Sequence, residues 1–328
     1  MNANDKDLSY PLGTTEIRTL ALVTNPHAGH GASQIASARA SRVFADRGID
    51  VIALQGANPD DARKLIREVI ADGRIDALAV CGGDGMINLA LQEQAQTGIP
   101  LGIIPAGTGN DHGREYNLPR GNARDAAHVI ADGFWTTTDL GHITSATGDR
   151  RWFGTIMCAG FDSIVSDRVN QMTWPHGRNR YNLAIVREFL AFHSLPFRIT
   201  LDDNRVLEDP ITLAAFGNTR SYGGGMKICP SADHSDGLMD ITVIGKAGRI
   251  KAALAFKSVF DGTVERIGEV STYRAKKAYV EYIGPPRQMN AYADGDLMFP
   301  MPVTVEIVPG AGRYICLLYT SPSPRDRG

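Results

Sequence analysis

Cysteine is scarce in this sequence. The four residues present, Cys81, Cys158, Cys229 and Cys316, form no CxxC and no paired spacing, which excludes a zinc ribbon or a disulfide framework and fits a reducing compartment. An excess of charge is missing too: 34 Lys and Arg stand against 36 Asp and Glu, leaving a formal charge of −2. That balance gives no electrostatic footprint for nucleic acid, so no nucleic-acid partner is expected. No apolar run approaches the ~18 residues of a transmembrane segment, and the polar stretch MNANDKDLSYPLGTTE lacks the apolar centre of a signal peptide. The expectation is a cytoplasmic protein that meets a membrane, if it does, peripherally at the inner face. Two common phosphate-binding signatures are also absent. Gly245-Lys246-Ala247 lacks the hydroxyl and glycine spacing of GxxxxGK[ST], and Gly107 and Gly109 have no glycine at 112 to complete GxGxxG.

What is present begins as a βα alternation. Arg18 to Thr24 is a continuous apolar run of the kind buried in a parallel sheet. It leads into the turn Asn25-Pro26-His27-Ala28-Gly29 and a helical pattern from Ala32 to Arg47. The unit repeats as strand Asp50 to Leu54 with a helix to Ala71, as strand Ala77 to Cys81 with a helix over Met86 to Gln96, and as strand Leu101 to Ile104. A helix over Asn122 to Asp132 follows. Such alternation predicts a doubly wound parallel sheet.

The texture changes near Gly133 to Thr136. Short alternating runs then dominate: Thr138 to Ile143, Trp152 to Met157, Phe197 to Leu201, Ile211 to Phe216, Met239 to Ile244, Ala278 to Tyr282 and Val303 to Val308. The fold class expected is therefore α/β, with an N-terminal nucleotide domain over 1–134 and a mostly antiparallel β-sandwich domain over 135–307. Helices interrupt the second part near Asn182 to His193 and Arg249 to Phe260. Met172 to Phe197 mixes aromatic and apolar residues with Arg and His, which suits either a membrane-facing segment or an amphipathic helix packed on the β domain. Residues 316–328, CLLYTSPSPRDRG, do not continue the pattern and resemble a translated adaptor read-through or a disordered tail.

Two glycine turns carry the chemistry. Gly82-Gly83-Asp84-Gly85 and Gly107-Thr108-Gly109-Asn110-Asp111 each follow a predicted strand, at the sheet end where a phosphate-bearing ligand binds. Glycines bring backbone N–H groups close to phosphate oxygens, and a following helix adds its positive end. Asp84 and Asp111 do not suit phosphate directly. A divalent cation or a ribose hydroxyl would reconcile them, and Mg²⁺ is usually held through one or two carboxylates, waters and substrate phosphates. A single turn of this kind also occurs as a plain βα connection with Asp as its cap.

Taken together, Asn25-Pro26 with Ala28-Gly29, GGDG with Asn88, and Pro105 to Asp111 resemble the catalytic domain of diacylglycerol and sphingolipid kinases, the bacterial lipid kinases above all, over about Arg18 to Ile315. The resemblance implies an ATP-binding first domain, a β-sandwich second domain, a lipid substrate entering between them at the membrane surface, and return of residues 308–315 to the first domain. It implies that Asp139 lies near metal and nucleotide, and that Asp233, Asp236 and the Leu238 carbonyl ligate a structural Mg²⁺. It also implies that Asp296 in Asp294-Gly295-Asp296 takes the proton from the lipid hydroxyl, with Asp294 the second candidate; without the family this segment reads as a β-turn. Oligomeric state stays open, a homodimer included.

The sequence departs from the family in two places. Met86 stands where the family usually has Thr, which removes a hydroxyl beside ATP. Asp296 stands where it has Glu, so the carboxylate would sit on the order of 1.5 Å back, and misplacement of about 1 Å can lower a rate roughly 10²-fold. NAD kinase, which shares a GGDG turn and this layout, is the rival enzyme. A non-catalytic nucleotide or lipid sensor is the rival of another class.

Overall fold

The computed structural model describes residues 12–25, 32–160, 194–202, 205–246 and 258–317. In chain order the elements are β1 (Leu12–Thr14), β2 (Thr19–Thr24), α1 (Ala32–Asp46), β3 (Asp50–Leu54), α2 (Pro59–Ala71), β4 (Ala77–Gly82), α3 (Asp84–Gln94), β5 (Leu101–Pro105), α4 (Asp111–Glu115) and α5 (Ala123–Asp132). The second half holds β6 (Phe134–Ser145), β7 (Arg150–Phe153), β8 (Ile156–Gly160), β9 (Leu195–Leu201), β10 (Val206–Ile211), β11 (Leu213–Gly217), β12 (Met239–Ile244), β13 (Val270–Ala275), β14 (Lys277–Tyr282), β15 (Asn290–Ala293), β16 (Asp296–Pro300) and β17 (Val303–Ile315).

Strands β5, β4, β2 and β3 are parallel neighbours. Every residue of β4 and β5 is buried, as the unbroken apolar runs require of strands covered on both faces. Helix starts follow the local chemistry. Asn58 caps α2 by accepting from the Asp61 N–H, with Pro59 in the first turn, and Asn122 caps α5, whose end is Gly133 at φ +70°. These helices pack on the sheet around Leu20, Phe44, Ile66, Leu78 and Leu91.

The parallel sheet does not stop at its own domain. Tyr314, near the end of β17, pairs in parallel with Leu101 of β5, while the earlier part of β17 pairs antiparallel with β6 and β14. One continuous sheet thus runs from nucleotide-type strands into antiparallel ones. A second sheet, in the order β13-β12-β11-β8-β15-β16, faces its antiparallel half. Phe153, Phe197, Phe216, Met239 and Val305 fill the space between them. This is the mixed α/β fold with a following antiparallel sandwich that the sequence predicts.

Two expected strands are each divided. Trp152 to Met157 becomes β7 in the first sheet and β8 in the second, because the N–H groups of Gly154 and Thr155 leave the ladder to bind the Asp294 carboxylate. Ile211 to Phe216 is split at Thr212 between β10 and β11, which again lie in different sheets. The pattern also gave no sign of β13, β15 and β16. Expectations for Pro26, Ala28, Gly29, most of Met172 to Phe197 and residues 318–328 lie outside the described residues.

Leu101 joins the two halves: fully buried, it pairs with Leu78 on one side and Tyr314 on the other. Leu101→Ala is expected to lower unfolding free energy by about 2–5 kcal/mol, seen in urea denaturation as an earlier midpoint of one transition. Two separated transitions would contradict the shared sheet as the structural link.

Candidate active site

The two glycine turns meet backbone to backbone. A Cβ added at Gly107 would lie 2.4 Å from the Gly83 Cα, and one added at Gly83 would lie 3.1 Å from the Gly107 Cα. Contact alone requires glycine at Gly107, while a side chain at Gly83 would need the facing backbone to give by a few tenths of an ångström. The second turn is closed by Asn110, left-handed at φ +53°, whose Oδ1 accepts from the Gly107 N–H and whose Nδ2 donates to the Gly107 carbonyl, both at 2.9 Å. Gly107, Thr108 and Gly85 stay exposed on the cleft side, while Gly82 is buried. Asn25 lies at the end of β2, next to β4 in the sheet.

Three ionisable groups are packed beneath these turns. Asp84 Oδ1 accepts from the Asp111 N–H at 2.9 Å and faces His112 Nδ1 at 3.3 Å, and His112 is fully buried. Burial pushes Asp84 upward, but the His112 ring and the N–H groups of His112 and Asp111 outweigh it, so its carboxyl titrates below the usual range. For His112, burial opposes the charged form; the bond to Asp84 and the charges of Asp294, Asp84 and Asp111 prevail and raise it. Asp111 is held above its ordinary value, first by burial and then by the Asp84 charge, against the Gly224 N–H and Arg114.

The Asp84 and Asp111 carboxylates are near neighbours. A Cβ at Gly109 would lie 2.7 Å from Asp84 Oδ2 and 3.4 Å from Asp111 Oδ2. Asp111 Oδ2 accepts from the Gly224 N–H, but its Oδ1 is buried and accepts no hydrogen bond, with Arg114 Nε at 3.6 Å as its nearest cation. An orphaned carboxylate oxygen beside a second carboxylate fits a hard divalent cation. Among the described residues, no three His, Cys, Asp or Glu side chains form a metal cage by themselves.

From the far end of the chain, the Asp294-Gly295-Asp296 turn enters the same cleft. Asp294 has φ +53° and is 6% exposed. Its carboxylate accepts from Asn88 Nδ2, the Gly154 N–H, the Thr155 N–H and Thr155 Oγ1, at 2.5 to 2.9 Å. A carboxylate so fully engaged has no lone pair to spare for a substrate proton, so the expectation of Asp294 as an alternative base gives way to a latch between α3, the β7–β8 corner and the β15–β16 turn. Asn88, expected among the nucleotide ligands, belongs to the same latch: its two amide hydrogens go to Asp294 and the Trp152 carbonyl.

Asp296 differs from Asp294 in every respect. It stands exposed at the head of the edge strand β16, and a Cβ at Gly85 would lie 3.2 Å from its Oδ2. Although it reaches solvent, the surrounding protein raises its carboxyl to about 6; burial is the chief cause, then the charges of Asp294 and Asp84, with Arg151 opposing.

The remaining expected residues gather elsewhere. Asp139 accepts from the Gly237 and Gly310 N–H groups, and its charged neighbours are Asp236 and His234, so it belongs to the 230–238 loop. In that loop Asp236 is paired with Arg274 and accepts from the Leu238 N–H, while Asp233 accepts from Ser235. There the Arg274 guanidinium stands against the Asp236 carboxylate. Sequence reasoning missed His112 and the Gly223-Gly224-Gly225 run that caps Asp111. The second had a visible signal in three consecutive glycines.

The chain matches two families: the diacylglycerol kinase catalytic domain over residues 19–143 and the YegS C-terminal NAD kinase beta sandwich-like domain over residues 155–316. It is 48% identical over 296 residues to the diacylglycerol kinase of Mycobacterium tuberculosis strain H37Rv, spanning 90% of this chain and 94% of that protein. It is 28% identical over 261 residues to the Stenotrophomonas maltophilia protein named "Probable lipid kinase YegS-like", spanning 77% and 82%. A crystal structure of a diacylglycerol kinase from Bacillus anthracis shares the fold, with TM-score 0.70 at 22% identity over 92% of this chain and 98% of that one.

The latch can be broken by one atom exchange. Asp294→Asn puts an amide where four donors converge and is expected to lower stability by on the order of 3 kcal/mol, measured by urea unfolding. Wild-type stability in that variant would mean that the latch does not hold the two domains together.

Proposed function

The chain belongs to the diacylglycerol kinase catalytic-domain family, and from that premise we propose that it transfers the terminal phosphoryl group of ATP to a hydroxyl of diacylglycerol or a related lipid. The observation that carries the proposal is the meeting of the exposed, unlatched Asp296 with the GGDG turn at Gly85. That pairing puts a base candidate against a phosphate-binding surface, the arrangement a hydroxyl acceptor needs.

In this reading the turns at Gly82 to Gly85 and Gly107 to Asn110 hold the ATP phosphates through backbone N–H groups, with Thr108 and Asn25 at the rim. The lipid hydroxyl approaches beside Asp296. As its oxygen bonds to the terminal phosphorus, the bond from that phosphorus to the bridging oxygen of ADP breaks, and the hydroxyl proton passes to the Asp296 carboxylate. Positioning and charge stabilisation supply most of the acceleration in such transfers. Asp84 and Asp111 would hold Mg²⁺ together with the phosphates, and its charge would offset that of the transferring group. His112 keeps the Asp84 carboxylate ionised and aimed. The absence of a helix long and apolar enough to cross a membrane among the described residues is compatible with a lipid reached from a membrane surface. The acceptor reading is favoured over NAD by the similarity to a lipid kinase along 90% of the chain.

The raised carboxyl of Asp296 sets the pH response. Below about 6 it is protonated and cannot accept a proton; above about 6 it is ionised and can. The rate of lipid phosphorylation per unit enzyme is therefore expected to climb with pH through about 6 and then level. Asp296→Asn should lower turnover on diacylglycerol by roughly 10²–10⁴-fold, measured with labelled ATP across a lipid panel that includes NAD as a control acceptor. Full activity in that variant would remove Asp296 as the base, and turnover of NAD alone would remove the lipid reading.

A further inference from the structure

We infer that Arg151 is a positioning residue for the phosphoryl transfer, holding the head of β16 and directing a positive charge toward the Asp296 carboxylate. The inference rests on the reading of Asp296 as the base.

The geometry starts with register. Arg151 lies opposite Ile143 across the β7–β6 pair. Cross-strand partners share a face of the sheet, and Ile143 is fully buried in the sandwich interior, so Arg151 also projects toward the second sheet. There its Nη1 donates to the Leu297 carbonyl at 2.9 Å, and its guanidinium lies 5.9 Å from the centre of the Phe299 ring. Both partners belong to β16.

The tie falls at a vulnerable place. Among the described strands β16 is the outer one of its sheet, with β15 as its partner, and that pairing slips at a bulge between Ala291 and Tyr292. The Asp294 latch fixes the turn before Asp296; beyond that turn an edge strand with one irregular neighbour depends on side-chain ties to fix it. Asp296 is the first residue of β16 and Leu297, the residue Arg151 grips, is the next. A cross-sheet hydrogen bond to the neighbouring carbonyl limits how far the base can drift from Gly85, and a misplacement of about 1 Å is enough to lower rate substantially.

Charge works in the same direction. The groups facing Asp296 are Asp294 on its own turn, Asp84 at the start of α3 and Arg151 on β7. Burial and the two carboxylates hold the base toward its protonated form, and among the described residues Arg151 pulls it back. Arg151 is only partly buried, so it can be exchanged without leaving an isolated charge in the core.

The test compares Arg151→Gln and Arg151→Lys with wild type, after circular dichroism shows each folded, by measuring kcat/KM for diacylglycerol in mixed micelles against pH at saturating ATP. In Arg151→Gln the acid limb should move up on the order of one pH unit, so that the rate at about pH 6 falls roughly fivefold while the KM for ATP stays within about twofold. Arg151→Lys, which keeps the charge, should bring the limb back toward wild type. In an Asp296→Asn background, Arg151→Gln should add less than about twofold, because residues that act through one another are not additive. An acid limb that does not move in Arg151→Gln, or an undiminished effect of that exchange without the Asp296 carboxylate, overturns the inference while leaving Asp296 as the base. Full activity of Asp296→Asn alone overturns both.

Discussion

Contact between Gly83 and Gly107 is the constraint on which the site depends. With 2.4 Å between a would-be Cβ on one and the Cα of the other, the two βα turns are closer than any side chain permits. That closeness brings Asp84 under the second turn, where it accepts the N–H groups of Asp111 and His112. Strands β4 and β5 are paired up to Gly82 and Pro105, so the turns leave the sheet side by side and have nowhere else to go. A parallel sheet thus ends in two touching glycine turns with one carboxylate already in place between them.

The second domain completes the site through a buried carboxylate. Asp294 accepts hydrogen bonds from two other segments, α3 and the β7–β8 corner, and it does so by drawing Gly154 and Thr155 out of what would have been one strand. The same bonds that break the strand deliver Asp296 to Gly85. A hydrogen-bonded carboxylate in a low-dielectric seam is strong when satisfied and damaging when not, which makes the latch a device of specificity: a misdocked domain would leave several buried donors without partners.

The sequence made the first domain legible because buried parallel strands and amphipathic helices leave long, uniform patterns. Asp50–Leu54 falls on its expected limits, and the other strands there shift by a residue or so. The second domain was harder to read. Its strands are short and change sheets at Gly154 and Thr212, and nothing in a periodicity argument detects a change of sheet. In the site, glycine spacing pointed to both turns and the family resemblance to Asp296. Asn88, Asp139 and Asp294 were identified as acidic or polar positions of importance, but their partners come from segments remote in the chain, and a lone sequence does not say whether a carboxylate faces a ligand or a backbone N–H. His112 gave no signal, since a single histidine is ordinarily structural.

The two departures from the family pattern have separate physical meanings. Met86 is partly buried and packs against the first core, so the thioether occupies a packing position, and the turn loses a hydroxyl without losing its backbone N–H groups. Asp296 is shorter than Glu by a methylene, yet its Oδ2 lies 3.2 Å from a would-be Cβ on Gly85. The turn through Asp294 and Gly295, both at positive φ, carries the backbone close enough that the shorter side chain still reaches the GGDG surface. Side-chain length therefore does not keep the Asp296 carboxylate from that turn. In the proposed reading its protonation is set first by burial and then by the charges of Asp294 and Asp84, against which Arg151 acts from β7 across the sandwich.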